Sequence, residues 1–130
     1  MPVLRAGDLE LELEYRVLRK AGTEIHLSPK EFDLLAFLMQ HKNVPLTHAR
    51  ILRALWGQEY CQEAEYLRTY ISALRKKIEN NPARPEYILT EPWLGYRFRN
   101  PTEADAFPLP VKHDTSPKKD TVGPTLESEP

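Results

Sequence analysis

The chain has 130 residues and a mass of 15.1 kDa, which is enough for one domain with little room for a second. Hydrophobic residues make up 41% and charged residues 28%, as is typical of soluble proteins, and no apolar run could span a bilayer. Pro2 and nearby charges follow Met1, so no secretory signal is expected. Cys61 is the only cysteine and forms no internal disulfide, so we expect a reducing, cytoplasmic location without membrane contact.

The net charge of −1 hides an uneven distribution along the chain. Residues 101–130 hold six of the twelve prolines and a net charge of −3, whereas residues 1–100 carry a net charge of +2. Residues 50–100 contain nine basic and six acidic side chains, a weak indication of a polyanionic partner. The C-terminal stretch has too few apolar residues to offset an ordering entropy of about 1–2 kcal/mol per residue. We therefore expect a folded domain over residues 1–100 and a disordered, proline-rich tail over residues 101–130.

Alternating apolar and charged residues over 9–17 predict one β-strand with a buried face and a solvated face. A turn over residues 19–23 and a returning strand over residues 24–27 follow. The acidic row on the charged face is either a metal or acid–base site or, as is far more common, simply the solvated side of a strand. The four histidines show no ligand spacing, so we expect no bound metal.

Two helices are predicted next. Residues 28–31 (SPKE) form a capping box with proline at the first helical position, and a bulky apolar stripe then runs to the break at residues 43–45. A very short strand fits that break. Thr47 is a good N-cap for a second helix, which ends at Gly57 and is followed by a short polar loop over residues 58–62.

The third predicted helix spans residues 63–80. Its apolar side chains recur at helical spacing and form one narrow seam for the core: Leu67, Ile71, Leu74 and Ile78. The opposite face carries short or polar side chains: Glu65, Thr69, Ser72, Ala73 and Lys76. Arg68 and Arg75 flank this face on one side, and Tyr70 and Lys77 flank it on the other. Such a face suits a DNA major groove, because short side chains admit the helix backbone and cations meet phosphates. A merely solvated face is the alternative.

A C-terminal hairpin follows the third helix. Residues 81–85 (NPARP) form a rigid break, after which a strand over 87–90, a turn over 91–94 and a returning strand over 95–99 are predicted. Two helices, a long helix with basic flanks and a terminal hairpin follow the element order of a winged helix-turn-helix. We therefore predict an α+β fold with an N-terminal antiparallel sheet, three helices and a C-terminal β-hairpin wing.

The residues of these elements also resemble a known family. The C-terminal effector domain of OmpR/PhoB-type response regulators is similar to the stretches LSPKEFDLLAFLMQHKNVPLTHARILRALWG and YLRTYISALRKKIENNPARPEYILTEPWLGYRF. Its potassium-responsive KdpE branch most resembles YLRTYISALRKKIE together with PARPEYI. The similarity covers roughly residues 5–100, and LRKK followed by GYRF at this spacing is specific. It implies a four-stranded N-terminal sheet and binding to promoter DNA as tandem head-to-tail copies.

The resemblance implies roles for individual residues. Base-edge contacts in the groove helix correspond to Arg68, Thr69, Ser72 and Ala73. Contacts with the phosphate backbone correspond to Trp56, Tyr70, Arg75, Lys76, Thr90 and Tyr96. Core packing is an equally good and compatible interpretation of Trp56 and Tyr96. The loop that can contact RNA polymerase in this family corresponds to residues 57–62 and includes Gln58, Glu59 and Tyr60.

Three departures from the family pattern concern the wing, the groove helix and domain content. At the wing, Pro92 stands where the family usually has an arginine that enters the minor groove, and Trp93 stands where glycine is common. Ala73 replaces a frequent arginine, so a strong guanine contact is missing. The receiver with its phosphoacceptor aspartate is absent from these residues, which leaves either an excised effector domain or a stand-alone relative.

These features predict a transcription regulator that binds double-stranded promoter DNA sequence-specifically, uses no cofactor and has RNA polymerase as a further partner. The alternative is a winged-helix interaction module that docks RNA polymerase or a receiver domain and shows little salt-dependent DNA affinity. An enzyme would need a nucleophile–base pair, a metal cluster or a phosphate-binding glycine loop. The sequence, with five scattered glycines, supplies no such constellation, so we expect no catalytic activity.

Overall fold

A computed structural model describes residues 2–102. Its strands and α-helices are, in chain order, β1 (Val3–Ala6), β2 (Leu9–Glu12), β3 (Val17–Lys20), β4 (Thr23–Ile25), α1 (Pro29–Gln40), β5 (Leu46–Thr47), α2 (His48–Trp56), α3 (Ala64–Ile78), β6 (Ile88–Glu91) and β7 (Gly95–Phe98). A 3₁₀ turn, Gln58–Tyr60, joins α2 to α3. All but the first two residues of the tail expected over 101–130 lie outside the described residues, so its disorder stays a prediction.

The first four strands form one antiparallel sheet in the order β1-β2-β3-β4. Leu11 of β2 lies opposite Leu18 of β3, and both are buried. On the other face, Glu10 lies opposite Arg5 and Arg19 on the neighbouring strands, as expected of a solvated strand face. The four-stranded sheet that the family resemblance implies is therefore confirmed.

The prediction of one continuous strand over residues 9–17 is wrong, because a turn at residues 13–16 divides it into β2 and β3. The Glu12 carboxylate accepts hydrogen bonds from the backbone N–H groups of Glu14 (3.1 Å) and Tyr15 (2.6 Å). Arg16 then adopts a left-handed backbone with φ 58°. Side-chain-to-backbone bonds of this kind compete with a strand ladder, and alternating hydrophobicity does not reveal them. Tyr15 consequently lies exposed at the surface.

Both α1 and α2 begin at the N-caps predicted from the sequence. The Ser28 hydroxyl accepts from the Glu31 N–H (3.2 Å) and the Glu31 carboxylate accepts from the Ser28 N–H (2.9 Å), which completes the capping box. The Thr47 hydroxyl accepts from the Arg50 N–H at 3.0 Å. Gly57 follows the last turn of α2 with φ 104°, a backbone conformation that favours glycine.

The predicted seam of α3 is confirmed. Four side chains at helical spacing are buried in one core with α1, α2 and both sheets: Leu67, Ile71, Leu74 and Ile78. Burial of each such side chain contributes about 1.5–3 kcal/mol, so the seam fixes the rotation of α3 about its axis. The opposite side of the helix is left facing solvent.

A second antiparallel sheet has the order β5-β7-β6 and includes the β6–β7 hairpin, which we call the wing. Gly95 pairs with Thr47, and a Cβ on Gly95 would overlap the Leu46 carbonyl oxygen, so this close approach requires glycine. The buried Arg97 side chain donates to the Glu91 carboxylate at 2.6 Å across the hairpin. The predicted winged helix-turn-helix architecture is thus confirmed.

Candidate nucleic-acid interface

The solvent side of α3 lines a shallow, open groove. We call this surface the α3 face, and its residues are Glu65, Arg68, Thr69, Ser72, Ala73, Lys76 and Lys77. They are exposed, apart from the half-buried Ala73 and Lys77. Small side chains lie in the middle of the α3 face, whereas Arg68 and Lys76 place a cation on either side of them. A partner can therefore approach the helix backbone closely between two positive charges.

Arg68 is paired within the α3 face. Its guanidinium donates to the Glu65 carboxylate, while the two side chains remain 53% and 88% exposed. The hydrogen bond with Glu65 raises the pKa of Arg68. Because an ion pair at this exposure contributes little to stability, Arg68 can exchange Glu65 for a phosphate or a base edge. Thr69 Oγ1 donates to the Glu65 carbonyl oxygen at 3.1 Å, so its hydroxyl lies against the helix.

Arg75 is turned toward the wing. Its Nε and Nη2 donate to the Ile88 carbonyl oxygen at 3.2 and 2.8 Å, and Nη2 also donates to Thr90 Oγ1 at 2.9 Å. The guanidinium lies 5.7 Å from the centroid of the Tyr96 ring on the other strand. Burial lowers the pKa of Arg75. Arg75 therefore joins α3 to both strands of the wing, and its phosphate contact stays a prediction.

Tyr96 of the wing and His48 at the start of α2 contact each other. Tyr96 is buried in β7, and its ring meets the His48 ring edge to face with 5.5 Å between centroids. Burial, together with the nearby Arg68 guanidinium, lowers the pKa of His48, so its imidazole is largely neutral at pH 7. Core packing, one of the two interpretations of Tyr96, matches these surroundings, and its phosphate contact stays a prediction.

Four aromatic rings form a cluster that joins α2, the 3₁₀ turn and α3. The members of this aromatic cluster are Trp56, Tyr60, Tyr66 and Tyr70. The Tyr66 ring lies at its centre, with centroid distances of 5.3 Å to Trp56, 5.9 Å to Tyr60 and 5.5 Å to Tyr70. Lys30 Nζ lies 5.3 Å from the centroid of Trp56. All three residues of the 3₁₀ turn are exposed, as a docking loop requires.

The wing tip consists of Pro92, Trp93 and Leu94. The Leu94 N–H donates to the Glu91 carbonyl oxygen at 3.0 Å, which closes a four-residue β-turn with Trp93 in its third position. Trp93 has φ 67° and a relative exposure of 102%, so its indole projects fully into solvent. A left-handed backbone costs a non-glycine residue about 1 kcal/mol. The His48 N–H donates to the Leu94 carbonyl oxygen at 3.1 Å and holds the wing tip beside the N-terminus of α2.

Most of the predicted site residues lie in three groups around α3: the α3 face, the wing and the aromatic cluster. Arg75 bonds α3 to the wing, and Gln58 and Glu59 precede Tyr60 in the 3₁₀ turn. His48 links the first two groups, because its ring lies near Arg68 and its N–H bonds to the wing tip. Sequence reasoning missed His48 because its partners meet only in the folded chain. It also gave no role to Glu65, although the i, i+3 spacing from Arg68 is itself a signal of an ion pair.

Over residues 2–102, no group of three or more His, Cys, Asp or Glu side chains could hold a metal ion. No helix in that part of the chain is both long enough and apolar enough to cross a membrane. Cys61 is a half-buried free thiol, 3.8 Å from Gln58 Nε2.

Comparison with known proteins identifies the family. The family described as "Transcriptional regulatory protein, C terminal" matches residues 22–98, which run from the β3–β4 turn to the end of the wing. The chain belongs to this family. Within it, the effector domain is similar to the KDP operon transcriptional regulatory protein KdpE of Escherichia coli (strain K12), with 39% identity over 97 residues. That match covers 75% of this chain and 43% of KdpE, so the chain spans less than half the length of this curated relative.

Solved structures of OmpR/PhoB type share the fold of this effector domain. The RstA DNA-binding domain of Klebsiella pneumoniae, solved in complex with the RstA box, gives a TM-score of 0.72 at 28% identity, covering 77% of this chain and 99% of that one. Response regulator DrrB, a Thermotoga maritima OmpR/PhoB homologue, gives 0.69 at 33% identity, covering 75% and 44%. The KdpE-like OmpR/PhoB assignment is confirmed. These relatives are transcription regulators and not enzymes, in agreement with the sequence-based expectation.

Proposed function

We propose that this effector domain regulates transcription in the bacterial cytoplasm by binding double-stranded promoter DNA sequence-specifically. The observation that carries the proposal is the α3 face, where small polar side chains lie between two cations next to the wing. A helix with these features fits the major groove, whose base edges distinguish all four base pairs. RstA of K. pneumoniae, which has the same fold, was solved in complex with the RstA box, and this supports DNA as the partner.

In this arrangement, the α3 face reads base edges and its surroundings bind phosphates. The base-reading residues are Arg68, Thr69, Ser72 and Ala73. The phosphate-binding residues are Trp56, Tyr70, Arg75, Lys76, Thr90 and Tyr96. Once Arg68 turns to DNA, the Glu65 carboxylate becomes free to accept from the amino group of a cytosine. The Arg68–Glu65 pair would then contribute specificity as well as charge.

The test is selection from a randomised duplex pool with the full chain at two salt concentrations. We expect one repeated motif, and log K that falls with log[salt] at a slope of roughly −4 to −5 if about five phosphates are neutralised. No enrichment, with weak and salt-independent binding, would refute the proposal and favour the protein-interaction alternative.

Single substitutions separate base reading from phosphate binding. Thr69→Ala and Ser72→Ala should change the preferred base at one position, where good contacts discriminate by about 1–3 kcal/mol. Lys76→Ala should weaken binding to all sequences alike. Arg19→Ala is the matched control, because it removes an exposed cation from the N-terminal sheet. Equal losses on selected and random DNA from all three α3 variants would contradict this division of roles.

We also propose that two copies bind head to tail on a repeated motif. Contacts between adjacent copies raise the effective concentration of the second copy, so pairing should tighten binding by tenfold or more. The measurement compares duplexes that carry one and two copies of the selected motif, with stoichiometry from native mass spectrometry. Equal affinity per site on both duplexes would exclude pairing.

RNA polymerase is the second proposed partner, and the exposed 3₁₀ turn is the surface that supports it. Tyr60 is 39% exposed and stacks on Tyr66, which leaves an aromatic surface beside Gln58 and Glu59. Exposed tyrosines are favoured at protein interfaces because they bury a large ring and keep a polar end. Tyr60→Ala should lower transcription in vitro from a promoter with the selected motif while DNA affinity stays unchanged. Unchanged transcription would exclude this contact.

A further inference from the structure

Two backbone hydrogen bonds hold the wing tip. Proline cannot adopt a positive φ, so with Pro92 second and Trp93 third at φ 67° the turn is of type II, which favours glycine in the third position. The turn is closed by the hydrogen bond from Leu94 to Glu91, and a second bond from His48 anchors it to α2. The direction in which Trp93 projects is therefore set by the backbone and by the fixed φ of Pro92.

Packing within the domain does not explain a tryptophan at this position. The indole is 102% exposed, so it gains no burial from the rest of the described chain. Its backbone is held in a conformation that glycine would adopt without strain. Tyr15, the exposed aromatic of the β2–β3 turn, differs because it is 69% exposed. A bulky ring that is both strained and fully solvated points to a contact made only with a partner.

The chemistry of the wing tip is apolar rather than cationic. Its three residues, Pro92, Trp93 and Leu94, carry no charge, and the adjacent Glu91 carboxylate is neutralised by the buried Arg97. The wing tip is bonded to His48 at the start of α2, and the imidazole of His48 lies near Arg68 of the α3 face, so the tip stands beside that face. When α3 occupies a major groove, a hairpin next to it reaches the adjacent minor groove. An uncharged wedge there can insert between base pairs, which partly unstacks them.

We propose that Trp93 is an apolar wedge that enters the minor groove beside the α3 contact and inserts between two base pairs at a flexible pyrimidine–purine step. The inference rests on the proposed DNA-binding function and adds a second specificity element to it. Because TA and CA/TG steps unstack more readily than others, the wedge selects such a step at a fixed distance from the bases read by α3. A duplex with the indole inserted bends toward the major groove.

The first test compares wild type, Trp93→Gly and Trp93→Phe in parallel selections from the same randomised duplex pool. We expect Trp93→Gly to keep the motif read by α3, to lose the flanking pyrimidine–purine step and to bind the wild-type motif about tenfold more weakly. Trp93→Phe, which retains a ring, should keep the step. Tyr15→Ala, which removes an exposed aromatic from the N-terminal sheet, should behave as wild type. Since glycine suits φ 67°, Trp93→Gly should not lower Tm.

The second test places 2-aminopurine at the selected step, where its fluorescence rises when the base unstacks. Wild type and Trp93→Phe should raise the signal on binding, and Trp93→Gly should not. If wild type selects a motif that Trp93→Gly binds equally well and with the same flanking step, the wedge is refuted and DNA binding by α3 stands. If wild type selects no DNA at all, the proposed function and the wedge both fail.

Discussion

The two halves of α3 use their polar side chains in opposite ways. In the C-terminal half, Arg75 bonds to the wing and Lys77 donates to Glu31 of α1 at 2.6 Å. In the N-terminal half, the bonds stay within the helix: Arg68 pairs with Glu65, and Thr69 donates to the Glu65 carbonyl oxygen. One half therefore fastens the helix to the domain, and the other half keeps its side chains exchangeable for a ligand.

This difference shows that counting cations on a helix does not reveal which of them meet phosphates. Three consecutive basic residues lie in the last turn of α3: Arg75, Lys76 and Lys77. Lys76 and Lys77 both line the α3 groove, but Lys76 is exposed, whereas Lys77 is half-buried and bonds to α1 and Arg75 bonds to the wing. Arg75 and Lys77 make bonds to other elements and Lys76 does not share them, so substitutions can separate their structural role from the ligand-binding role proposed for Lys76.

Around the C-terminal half of α3, we expect the largest loss of stability from substitution of Glu79, which directly follows the helix. Its buried carboxylate accepts from the backbone N–H groups of Glu86 (2.7 Å), Tyr87 (3.1 Å) and Ile88 (2.9 Å), and so holds the start of β6. Glu79→Ala leaves these donors without their acceptor and should lower the free energy of unfolding by about 3 kcal/mol in urea titrations. The exposed Glu86→Ala is the control, with an expected change below about 0.5 kcal/mol. A loss below about 1 kcal/mol for Glu79→Ala would show that the loop finds other partners.

Arg75→Ala distinguishes a fastening role from a phosphate contact. Loss of the bonds to Ile88 and Thr90 should lower the free energy of unfolding by about 2 kcal/mol. DNA affinity should fall on every sequence because the wing is less well placed, and loss of the proposed phosphate contact should also reduce the salt slope by about 0.9. An unchanged slope would leave Arg75 a structural role alone. Arg75→Lys, which keeps the charge without the planar fork, should restore stability only in part.

The pH dependence of stability tests the bond between Lys77 of α3 and Glu31 of α1. Burial by itself would raise the pKa of Glu31, but the hydrogen bonds from Lys77 and Ser28 outweigh it and lower the pKa below its usual value. The carboxylate therefore adds stability that is present above the usual pKa of 4.5 and is lost as pH falls through the folded-state pKa. Glu31→Gln should lose about 1 kcal/mol at pH 7 and show a flatter stability profile below pH 5.

The control for Glu31 is Asp33→Asn on the same helix. It removes the exposed ion pair between Asp33 and Arg16 of the β2–β3 turn. Its effect on the free energy of unfolding should stay below about 0.5 kcal/mol. Equal pH profiles for wild type and Glu31→Gln would mean that the Lys77 pair contributes nothing measurable.

We expect the smallest effects from Lys76→Ala and Lys77→Ala. The first should change DNA binding and the second should change stability. Lys76→Ala should weaken DNA binding a few-fold, reduce the salt slope by about 0.9 and leave stability unchanged. Lys77→Ala should lower the free energy of unfolding through the loss of its bond to Glu31, with little change in the salt slope. The measurements are urea unfolding and fluorescence anisotropy with the selected duplex over a salt series. Similar slopes for both variants would contradict the different roles given to Lys76 and Lys77 within the C-terminal half of α3.

Much of the site was predictable because it depends on positions within one helix. The spacing of Leu67 and Ile71 predicts which side of α3 is buried, and the opposite side then follows from helical geometry. The role of Arg75 was not predictable in the same way, since its partners lie on β6, and a flanking cation on a helix has many possible partners. The exposure of Trp93 depends likewise on how the wing stands relative to the rest of the domain.

By itself, the sequence determined the caps and the buried seam of α3, because these depend on residues within a few positions of one another. The order of the elements and the family resemblance also followed from the chain alone. The tertiary structure decided which polar groups form hydrogen bonds between elements, as Glu79 and Arg75 do, because their partners lie in other elements. It also decided that Trp93 stands fully in solvent, because the wing is positioned by its bonds to α2 and α3 and packing leaves the tip uncovered.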